Sequence, residues 1–408
     1  MATIAVMGTL DSKGIEHEYL ANQIKAKGHK VCMIDLGTGS APCVDVDVTR
    51  YEVAKSMDLD LEKLMEAADR GDCVRAMSKA AAVYLKQRVD AGDFDAVISL
   101  GGGGGTSLAS TAMRTLPMGF PKIIVSTLAS GNTAHYLGTK DIILIPSIVD
   151  VAGLNSVSKM VFTKAAGAIC GMVDSNLEEE NKKPLIVASM FGNTTECVDI
   201  AKDVLEKAGY EVLVFHATGI GGKTMEDLIE SGMVDAVLDI TTTEWADEHV
   251  GGVLSAGPTR MDAMTHANIP AIVVPGCLDM ANFGEKETVP EKFNDRTFYQ
   301  HNDQVTLMRI NADECCKLGK VLAEKANANK APTEICLPLK AISVISAKGG
   351  DFYDEAADDA LFDSIRCHAK VKINELDHEI NALEFAEFCA NSLLKLIETH
   401  KQSNSSTK

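Results

Sequence analysis

A run of five consecutive glycines follows a strand-like apolar segment (94–100) and precedes a helix-like segment (106–114). The glycines are Gly101, Gly102, Gly103, Gly104 and Gly105. Such a run is costly because glycine loses more backbone freedom on folding than any other residue. At a strand-to-helix turn it lets successive N–H groups approach an anion at the positive end of the helix. The segment therefore predicts a parallel α/β unit with a phosphate or carboxylate site, and a merely tight or flexible turn is the alternative.

Thr106, directly after the run, is placed to cap the helix or to contact a phosphate. The run is not a Walker loop, because no Lys-Ser/Thr pair follows it, and it lacks the spaced G-x-G-x-x-G pattern of dinucleotide sites.

Strand-like and helix-like segments alternate along the 408 residues. This alternation predicts two Rossmann-like domains with mostly parallel sheets and helices on both faces. A charged, proline-stopped stretch (178–184) separates them, which predicts domains over 1–180 and 184–400 and a frayed tail over 401–408. Segment 95–98 is matched by 235–238, and 119–125 by 268–274, as expected for two copies of one architecture. Because ligands bind beyond the carboxyl ends of parallel strands, a cleft between the domains is the expected site.

Polar loops follow other strands of the first half. A lysine there can meet a phosphate, Asp11 can hold Mg²⁺ through water, and Asp35 stands where nucleotide-binding folds place a ribose-binding carboxylate. Turn formation and helix capping are the alternatives for these side chains. The candidate cofactor-binding residues in these loops are Gly8, Thr9, Asp11, Lys13, Asp35, Gly37, Ser130, Gly131, Asn132 and Thr133.

Loops of the second half carry the candidate substrate-binding residues. The glycines before the segment 225–230 form a second possible anion cradle, and an arginine at 260 can grip a carboxylate or phosphate bidentately. The candidates are Thr218, Gly221, Gly222, Thr242, Thr243, Ser255, Gly257, Arg260, Asp279, Asn282 and Arg309.

Three residues are candidates for catalysis: Glu244, His216 and His301. Glu244 and Asp247 could form a general acid/base pair or bind a metal. His301 lies in a segment that shows neither helical nor strand periodicity, which favours a proton-transfer role over a plain surface histidine. Cys277 is a weaker candidate, a nucleophile or an inert packing residue. Segment 342–345 reads as a strand.

Charge and cysteine content exclude several classes of protein. The net charge is −19, which argues against a nucleic-acid or membrane-surface binder. The eleven cysteines show no metal-ligand spacing, and the N-terminus lacks a signal sequence, so we expect free thiols in the cytoplasm. A homodimer is the default expectation.

The motifs together resemble one family, the uncharacterised microbial and plant family related to the N-terminal domain of the tomato mosaic virus resistance protein. The motifs are 8–13, 100–106, 150–155, 215–219, 239–244, 255–260, 275–283 and 301–309. The resemblance covers almost the whole chain. It implies a two-subdomain Rossmann-like unit that binds ATP, with Mg²⁺, at Gly101 to Thr106 with Gly8 to Lys13 nearby.

Three functions remain open at this point. The first is an ATP-binding enzyme that acts on a small carboxylate or phosphate-bearing substrate. The second is a non-catalytic ATP-dependent sensor or dimer whose output is a partner protein. The third is a dinucleotide-dependent oxidoreductase, which Asp35 permits and the missing G-x-G-x-x-G pattern disfavours.

Overall fold

Two units of parallel β-sheet make up the chain, over Met1–Glu179 and Glu180–Lys408. The computed structural model describes residues 1–67, 69–175 and 182–405, so residues 178–181 of the predicted boundary stretch lie outside the described residues. The predicted α/β class is confirmed, because the largest sheet of each unit is parallel and flanked by helices. Within these ranges no helix has the length and apolar content to cross a bilayer.

The first unit alternates strands and helices as the sequence predicts. Its elements are β1 (Thr3–Gly8), α1 (Leu10–Lys25), β2 (Lys30–Asp35), α2 (Arg50–Lys55), α3 (Leu61–Ala67), α4 (Arg70–Asp90), β3 (Ala96–Gly101), α5 (Gly103–Met113), β4 (Lys122–Ser126), α6 (Ala134–Leu137), β5 (Ile143–Pro146) and α7 (Ser156–Asp174). The strands form one parallel sheet in the order β2-β1-β3-β4-β5.

Both faces of this sheet are buried. Ala5 and Met7 of β1 pack into one apolar cluster with α4 and α5, while Ile4 and Val6 pack into another with α1 and α7. Alternate residues of a strand point to opposite faces, so a strand covered on both sides is a continuous apolar run. This explains why the strands of the chain read as unbroken hydrophobic segments.

The second unit repeats the design and adds an antiparallel sheet. Its elements are β6 (Leu185–Met190), α8 (Thr195–Lys207), β7 (Glu211–His216), α9 (Ile220–Glu230), β8 (Ala236–Thr241), α10 (Glu244–Val250), α11 (Ala263–Ala267), β9 (Ala271–Gly276), β10 (Met280–Phe283), β11 (Phe298–Asn302), β12 (Val305–Arg309), α12 (Ala312–Ala328), β13 (Thr333–Pro338), α13 (Glu355–His368), β14 (Lys372–Leu376) and α14 (Leu383–Ser405). The parallel sheet has the order β14-β13-β9-β8-β6-β7, and β10-β12-β11 form the antiparallel sheet.

Matching contacts support the predicted internal repeat. The Asp95 carboxylate accepts the N–H of Thr3 at 2.7 Å, and the Asp235 carboxylate accepts the N–H of Leu185 at 2.7 Å. Each aspartate precedes the third strand of its unit and fixes the start of the first. The order of the first four strands is also the same in both sheets.

Three expectations about the second unit differ from the structure. The segment around His301 is not irregular, since it forms β11 and pairs with β12. Residues 342–345 form bends and a turn, and the strand of that region is β13. The last helix extends to Ser405, so part of the predicted frayed tail is helical, and residues 406–408 lie outside the described residues.

Candidate functional site

The first sheet has a topological switch point between β1 and β3. Strand β1 pairs with β2 on one side and with β3 on the other, so the chain leaves these two strands in opposite directions. In open α/β sheets the crevice for a ligand lies at such a point, beyond the carboxyl ends of the strands. The segments that follow β1 and β3 are Thr9–Lys13, which contains the first turn of α1, and the glycine run, which begins α5.

A cavity of about 490 Å³ opens at this point, and we call it cavity A. Its volume falls in the range of small-molecule sites. Of the predicted cofactor residues, Thr9, Asp11, Lys13, Gly102, Gly103, Gly104 and Gly105 line it. The remaining lining residues are Ser12, Thr38, Gly39, Met65, Cys73, Val74 and Leu108.

The five glycines are not equivalent. A Cβ on Gly101 would lie 2.9 Å from backbone atoms of Gly105 and Thr106, so Gly101 is required by packing. A Cβ on Gly103 would make only an ordinary contact at 3.6 Å, and one on Gly104 would meet nothing within 4 Å. None of the five has a positive φ. Neither backbone conformation nor internal packing therefore requires glycine at 103 and 104.

The N-terminus of α5 has no internal anion. Its N-cap is Gly102, which makes no side-chain capping bond. Among the described residues no acceptor binds the N–H of Gly103, Gly104 or Gly105. Uncapped N–H groups at a helix start carry partial positive charge and bind anions.

Lys13 adds a full positive charge beside the helix. Its half-buried ammonium donates to the carbonyl of Val151, which leaves two of its three donors available. Within the described ranges no carboxylate pairs with it. Asp11, on the same turn, accepts the N–H of Gly39 at 2.9 Å through one oxygen. The site thus offers donors for an anion and one carboxylate oxygen for a cation that accompanies it.

His17 connects the start of α1 to the end of β3 beside the site. Its Nδ1 lies 2.6 Å from the carbonyl of Lys13, and its Nε2 lies 3.3 Å from the amide nitrogen of Leu100, directly before the glycine run. The Leu100 N–H donates to Nε2, so Nδ1 carries the proton and the ring is neutral. Burial is the largest cause that lowers the pKa of His17 below its usual 6.5, against the raising effects of the Lys13 carbonyl and Glu16. A Cβ on Gly8 would lie 2.1 Å from Nε2, so Gly8 makes room for this ring and does not line cavity A.

Asp35 does not line cavity A, contrary to the sequence-based expectation of a ribose contact. Its Oδ2 binds Arg50 Nε at 2.6 Å, and its Oδ1 accepts the N–H groups of Leu10 and Gly37. The carboxylate is an internal anion at the start of α1. Packing inside the protein also explains why residue 37 is glycine, because a Cβ there would lie 2.7 Å from Arg50 and Asp11.

Thr106 is also a structural residue. It is fully buried, and its hydroxyl bonds to Ser126 Oγ at 2.7 Å, which ties the start of α5 to the end of β4. Ser130 lines a second cavity, while Gly131, Asn132 and Thr133 line neither cavity.

In the second unit, Arg260 is buried among the chain's own carboxylates and cannot grip a substrate as predicted. Its guanidinium binds both oxygens of Asp239 at 2.7 Å, Glu244 at 2.8 Å and Glu226 at 3.1 Å, and the residue is 1% exposed. Burial raises the pKa of Glu226. Bidentate pairing of this kind satisfies the arginine completely.

Glu244 fills the second anion cradle that the glycines of the 216–224 loop predict. Its Oε1 accepts the N–H of Gly219 at 2.7 Å and of Gly222 at 3.0 Å, and its Oε2 binds Arg260. A Cβ on Gly222 would lie 2.1 Å from Oε2, and one on Gly221 would lie 1.7 Å from the carbonyl of His216. These glycines therefore pack against the chain itself, and Glu244 has no free oxygen for catalysis.

Asp247 and Asn282 form a second buried polar pair. Asp247 accepts the side-chain N–H of Asn282 at 2.8 Å and two backbone N–H groups, from Asn282 and Leu254. Burial raises the pKa of Asp247 to about 7, although these hydrogen bonds act in the opposite direction. The carbonyl oxygen of the Asn282 side chain is buried without a partner in the described part of the chain.

Arg309 and Asp279 are enclosed in the same way. Arg309 donates to the carbonyls of Phe352 and Asp279 and pairs with Asp358 at 2.6 Å. Asp279 is fully buried, and its Oδ2 accepts the hydroxyl of Ser343 at 2.9 Å. Neither side chain reaches a surface where a substrate could bind.

The remaining predicted substrate-binding residues have structural roles within the chain. The hydroxyls of Thr218, Thr242 and Thr243 donate to carbonyls of His216, Val274 and Met280. Ser255 donates to Glu248, and Gly257 has the positive φ of 87° that favours glycine.

The predicted catalytic residues do not come together in the second unit. His216 is exposed at the end of β7 with its ring edge-on to Phe191 at 5.3 Å, and His301 is exposed on β11. Neither contacts Glu244. Cys277 is fully buried, and burial raises the pKa of its thiol well above the ordinary value, which supports the packing interpretation.

Some lining residues of cavity A were missed by sequence reasoning. Ser12, Thr38 and Gly39 belong to the polar segments after β1 and β2, so their place after a strand is a signal that could identify them. Met65, Cys73, Val74 and Leu108 lie on helices and carry no local signal, because only the packing of α3, α4 and α5 brings them to the cavity.

Comparison with known proteins gives the family. Residues 2–178 match the N-terminal domain, and residues 183–397 the C-terminal domain, of the model "Uncharacterised protein family (UPF0261)". A UPF0261 protein of Clostridium tetani is 47% identical over 399 residues, covering 97% of this chain and 99% of that protein. The ToMV resistance protein Tm-1(GCR237) of Solanum lycopersicum is 41% identical over 419 aligned residues, covering 96% of this chain and 55% of the tomato protein.

Among solved structures, the crystal structure of Acinetobacter baumannii MurG covers 97% of this chain and 100% of its own at 13% identity. Its TM-score of 0.23 is too low to carry an argument. The family models, by contrast, span both units, and the relatives match nearly the full chain. This chain belongs to the uncharacterised protein family UPF0261.

Proposed function

We propose that the first unit binds ATP with Mg²⁺ in cavity A. The observation that carries this proposal is the pair Gly103 and Gly104, which neither φ nor internal packing requires to be glycine. In a helix, each glycine costs about 1 kcal/mol relative to alanine. Space for an external ligand is the reason that remains, and the free N–H groups and Lys13 make an anion the matching ligand.

The lining of cavity A offers groups for both the phosphates and the base of a nucleotide. The uncapped start of α5 and Lys13 would hold phosphates. Met65, Val74 and Leu108 form an apolar wall against which a base can pack. Asp11 is the carboxylate of this cavity, and Mg²⁺ is commonly held by one or two carboxylates together with the phosphates that it accompanies. The resemblance seen in the sequence motifs implies the same ligand.

Asp35 disfavours the dinucleotide alternative. Rossmann dinucleotide sites use a carboxylate at this position for the ribose. Here Arg50 and two backbone N–H groups occupy both oxygens. A nucleotide in cavity A would therefore bind without that contact.

Two outputs of nucleotide binding stand as proposals. An enzyme would use the nucleotide on a second substrate, and a sensor would use it to favour one conformation or a dimer. Burial of Arg260 removes the support for a carboxylate substrate in the second unit. All eleven cysteines are free thiols, which supports a reducing compartment such as the cytoplasm.

The test is a thermal-shift panel of ATP, ADP, NAD and phosphate with and without Mg²⁺ on the wild type and on Gly104→Leu. A ligand at a hundred times its Kd adds about 2.7 kcal/mol of stability. We expect a Mg²⁺-dependent shift with ATP on the wild type and a loss of affinity of at least tenfold in Gly104→Leu, because the new side chain covers the N–H groups.

Gly171→Leu is the matched control, since Gly171 is an exposed helical glycine of α7 whose Cβ position is also open. Without ligand, both variants should melt no lower than the wild type, because leucine is the better helix former. Equal ATP affinity in Gly104→Leu and the wild type would refute the site.

A further inference from the structure

We propose that a second cavity, beside the glycine run of cavity A, binds a small, neutral, polyhydroxylated molecule. This inference rests on the proposed nucleotide site and names the class of a co-substrate. The second cavity, cavity B, has a volume of about 500 Å³. It is lined by Ser126, Thr127, Ser130, Pro146, Ser147, Ile148, Val149 and Asp150.

Cavity B lies at the carboxyl ends of β4 and β5, the edge of the sheet where ligands bind. Thr127 links the two cavities, since its N–H donates to the carbonyl of Gly101 at 3.2 Å. A Cβ on Gly102 would lie 3.8 Å from the hydroxyl oxygen of Thr127. A ligand in cavity B is thus a neighbour of any anion at the start of α5.

The polar groups of cavity B define the class of ligand. Four of its lining residues carry hydroxyl groups, and Asp150 supplies the only formal charge of the wall. Ser126 and Ser147 use their hydroxyls internally, bonding to Thr106 and to the carbonyl of Val149. In the described part of the chain, the hydroxyls of Thr127 and Ser130 and the Asp150 carboxylate are exposed and have no hydrogen-bond partner.

This set favours hydroxyl groups over charged ligands. A carboxylate accepts hydrogen bonds from adjacent hydroxyls of a sugar, and threonine and serine both donate and accept. The wall offers no cationic side chain, so a second phosphate or carboxylate would lack a partner and would be repelled by Asp150.

Ile148 gives an independent sign that cavity B is built for binding. It has φ of 67°, in the left-handed region, and its side chain is 72% exposed at the cavity. A β-branched residue in this region is a genuine outlier with a strained backbone conformation. Because the side chain buries little, its own packing does not offset this cost, and such strain concentrates at ligand-binding positions.

The test uses saturation-transfer NMR with glycerol, D-ribose, D-glucose and myo-inositol on the protein in AMP-PNP and Mg²⁺. We expect at least one of these probes to bind, and its affinity to fall at least tenfold in Thr127→Val and in Asp150→Asn. Thr133→Val, a threonine nearby that lines neither cavity, should leave the affinity unchanged.

Ile148→Gly separates binding from folding. Glycine accepts a positive φ, so this variant should melt no lower than the wild type and still lose affinity for the probe. The absence of binding by all four probes, or equal binding by Thr127→Val, Asp150→Asn and the wild type, would overturn the proposal.

A further experiment tests whether the hydroxyl groups in cavity B belong to a separate molecule or to the ribose of the nucleotide. The proposal expects AMP-PNP affinity to stay within twofold in Asp150→Asn. If that variant loses AMP-PNP affinity but keeps its affinity for inorganic tripolyphosphate, cavity B holds the ribose of the nucleotide and a separate co-substrate is refuted. Failure of the nucleotide site itself would appear separately, as unchanged AMP-PNP binding in Gly104→Leu.

Discussion

Arg260 makes the kind of interaction that its sequence context suggests, but it makes it with groups of the protein itself. An arginine at the end of a polar loop indicates a site for carboxylates, and Arg260 does bind carboxylates. They belong to Asp239, Glu244 and Glu226. The residue type thus predicted binding to carboxylates correctly. It could not show that these carboxylates belong to the same chain, because they lie 16 to 34 residues away and only the fold brings them to Arg260.

Replacement of Arg260 by methionine should destabilise the second unit by about 3–5 kcal/mol, because it leaves buried carboxylates without a counter-charge. Urea unfolding at pH 7 measures this loss. Acidification should recover part of it as the carboxylates take up protons. Arg366→Met is the matched control, since the ion pairs of Arg366 are solvent-exposed and contribute less than about 1 kcal/mol. A cost near that of the control would contradict the structural role of Arg260.

At the scale of the element, one imidazole adds a polar contact between α1 and the sheet to their apolar packing. His17 connects the carbonyl of Lys13 to the N–H of Leu100, so it ties the start of α1 to the end of β3. Nothing in the sequence around position 17 predicts this role, because Leu100 is 83 residues away. Gly8, by contrast, could be identified from the sequence as a special position. Glycine is needed there to make room for the His17 ring and not to approach a cofactor.

The pKa of His17 gives this attachment a pH dependence. Its folded pKa lies below the unfolded value of 6.5, so the unfolded chain binds the proton first as the pH falls. The stability of the first unit should therefore decrease below pH 6.5, by up to about 1.4 kcal/mol per pH unit. His17→Asn keeps a donor for the Lys13 carbonyl, and it should be less stable at pH 7.5 but flatter between pH 7.5 and 5.5. Parallel curves for the two proteins in urea unfolding would exclude His17 as the titrating group.

At the scale of the whole molecule, the sequence predicted the architecture better than the sites. The alternation of apolar strands and helices and the recurrence of Asp95 and Asp235 were sufficient for two parallel α/β units. The β10-β12-β11 sheet was missed, because β10 and β11 are only four and five residues long and mix polar residues with apolar ones. In the first unit Lys13 and four glycines of the run line one cavity, and their role as a cofactor site stays a prediction. In the second unit the predicted polar residues proved to bind one another, since residue type alone does not reveal the partner.

The two units should respond to pH in opposite directions. Asp247 has a folded pKa of about 7, above its unfolded value of 3.8. Its contribution to stability is complete below about pH 4 and is lost as the pH rises through 7. Hydrogen exchange of the full chain, corrected for the intrinsic rate, should show β3 opening more easily below pH 6.5 and α10 opening more easily above pH 7.

Asp247→Asn should flatten the response of α10 alone, because Asn282 can turn its unpartnered carbonyl oxygen toward the new amide. His17→Asn should flatten the response of β3 alone. A common shift of both regions in either variant would mean that the units do not titrate separately.

The Glu244 carboxylate at Gly219 and Gly222 can also be viewed as a tethered ligand. A side chain never diffuses away from its own backbone, so its effective concentration at those N–H groups does not depend on any free metabolite. The anion site at the start of α9 is therefore occupied by the chain itself. At the start of α5, by contrast, no acceptor among the described residues is tethered over the N–H groups of Gly103, Gly104 and Gly105.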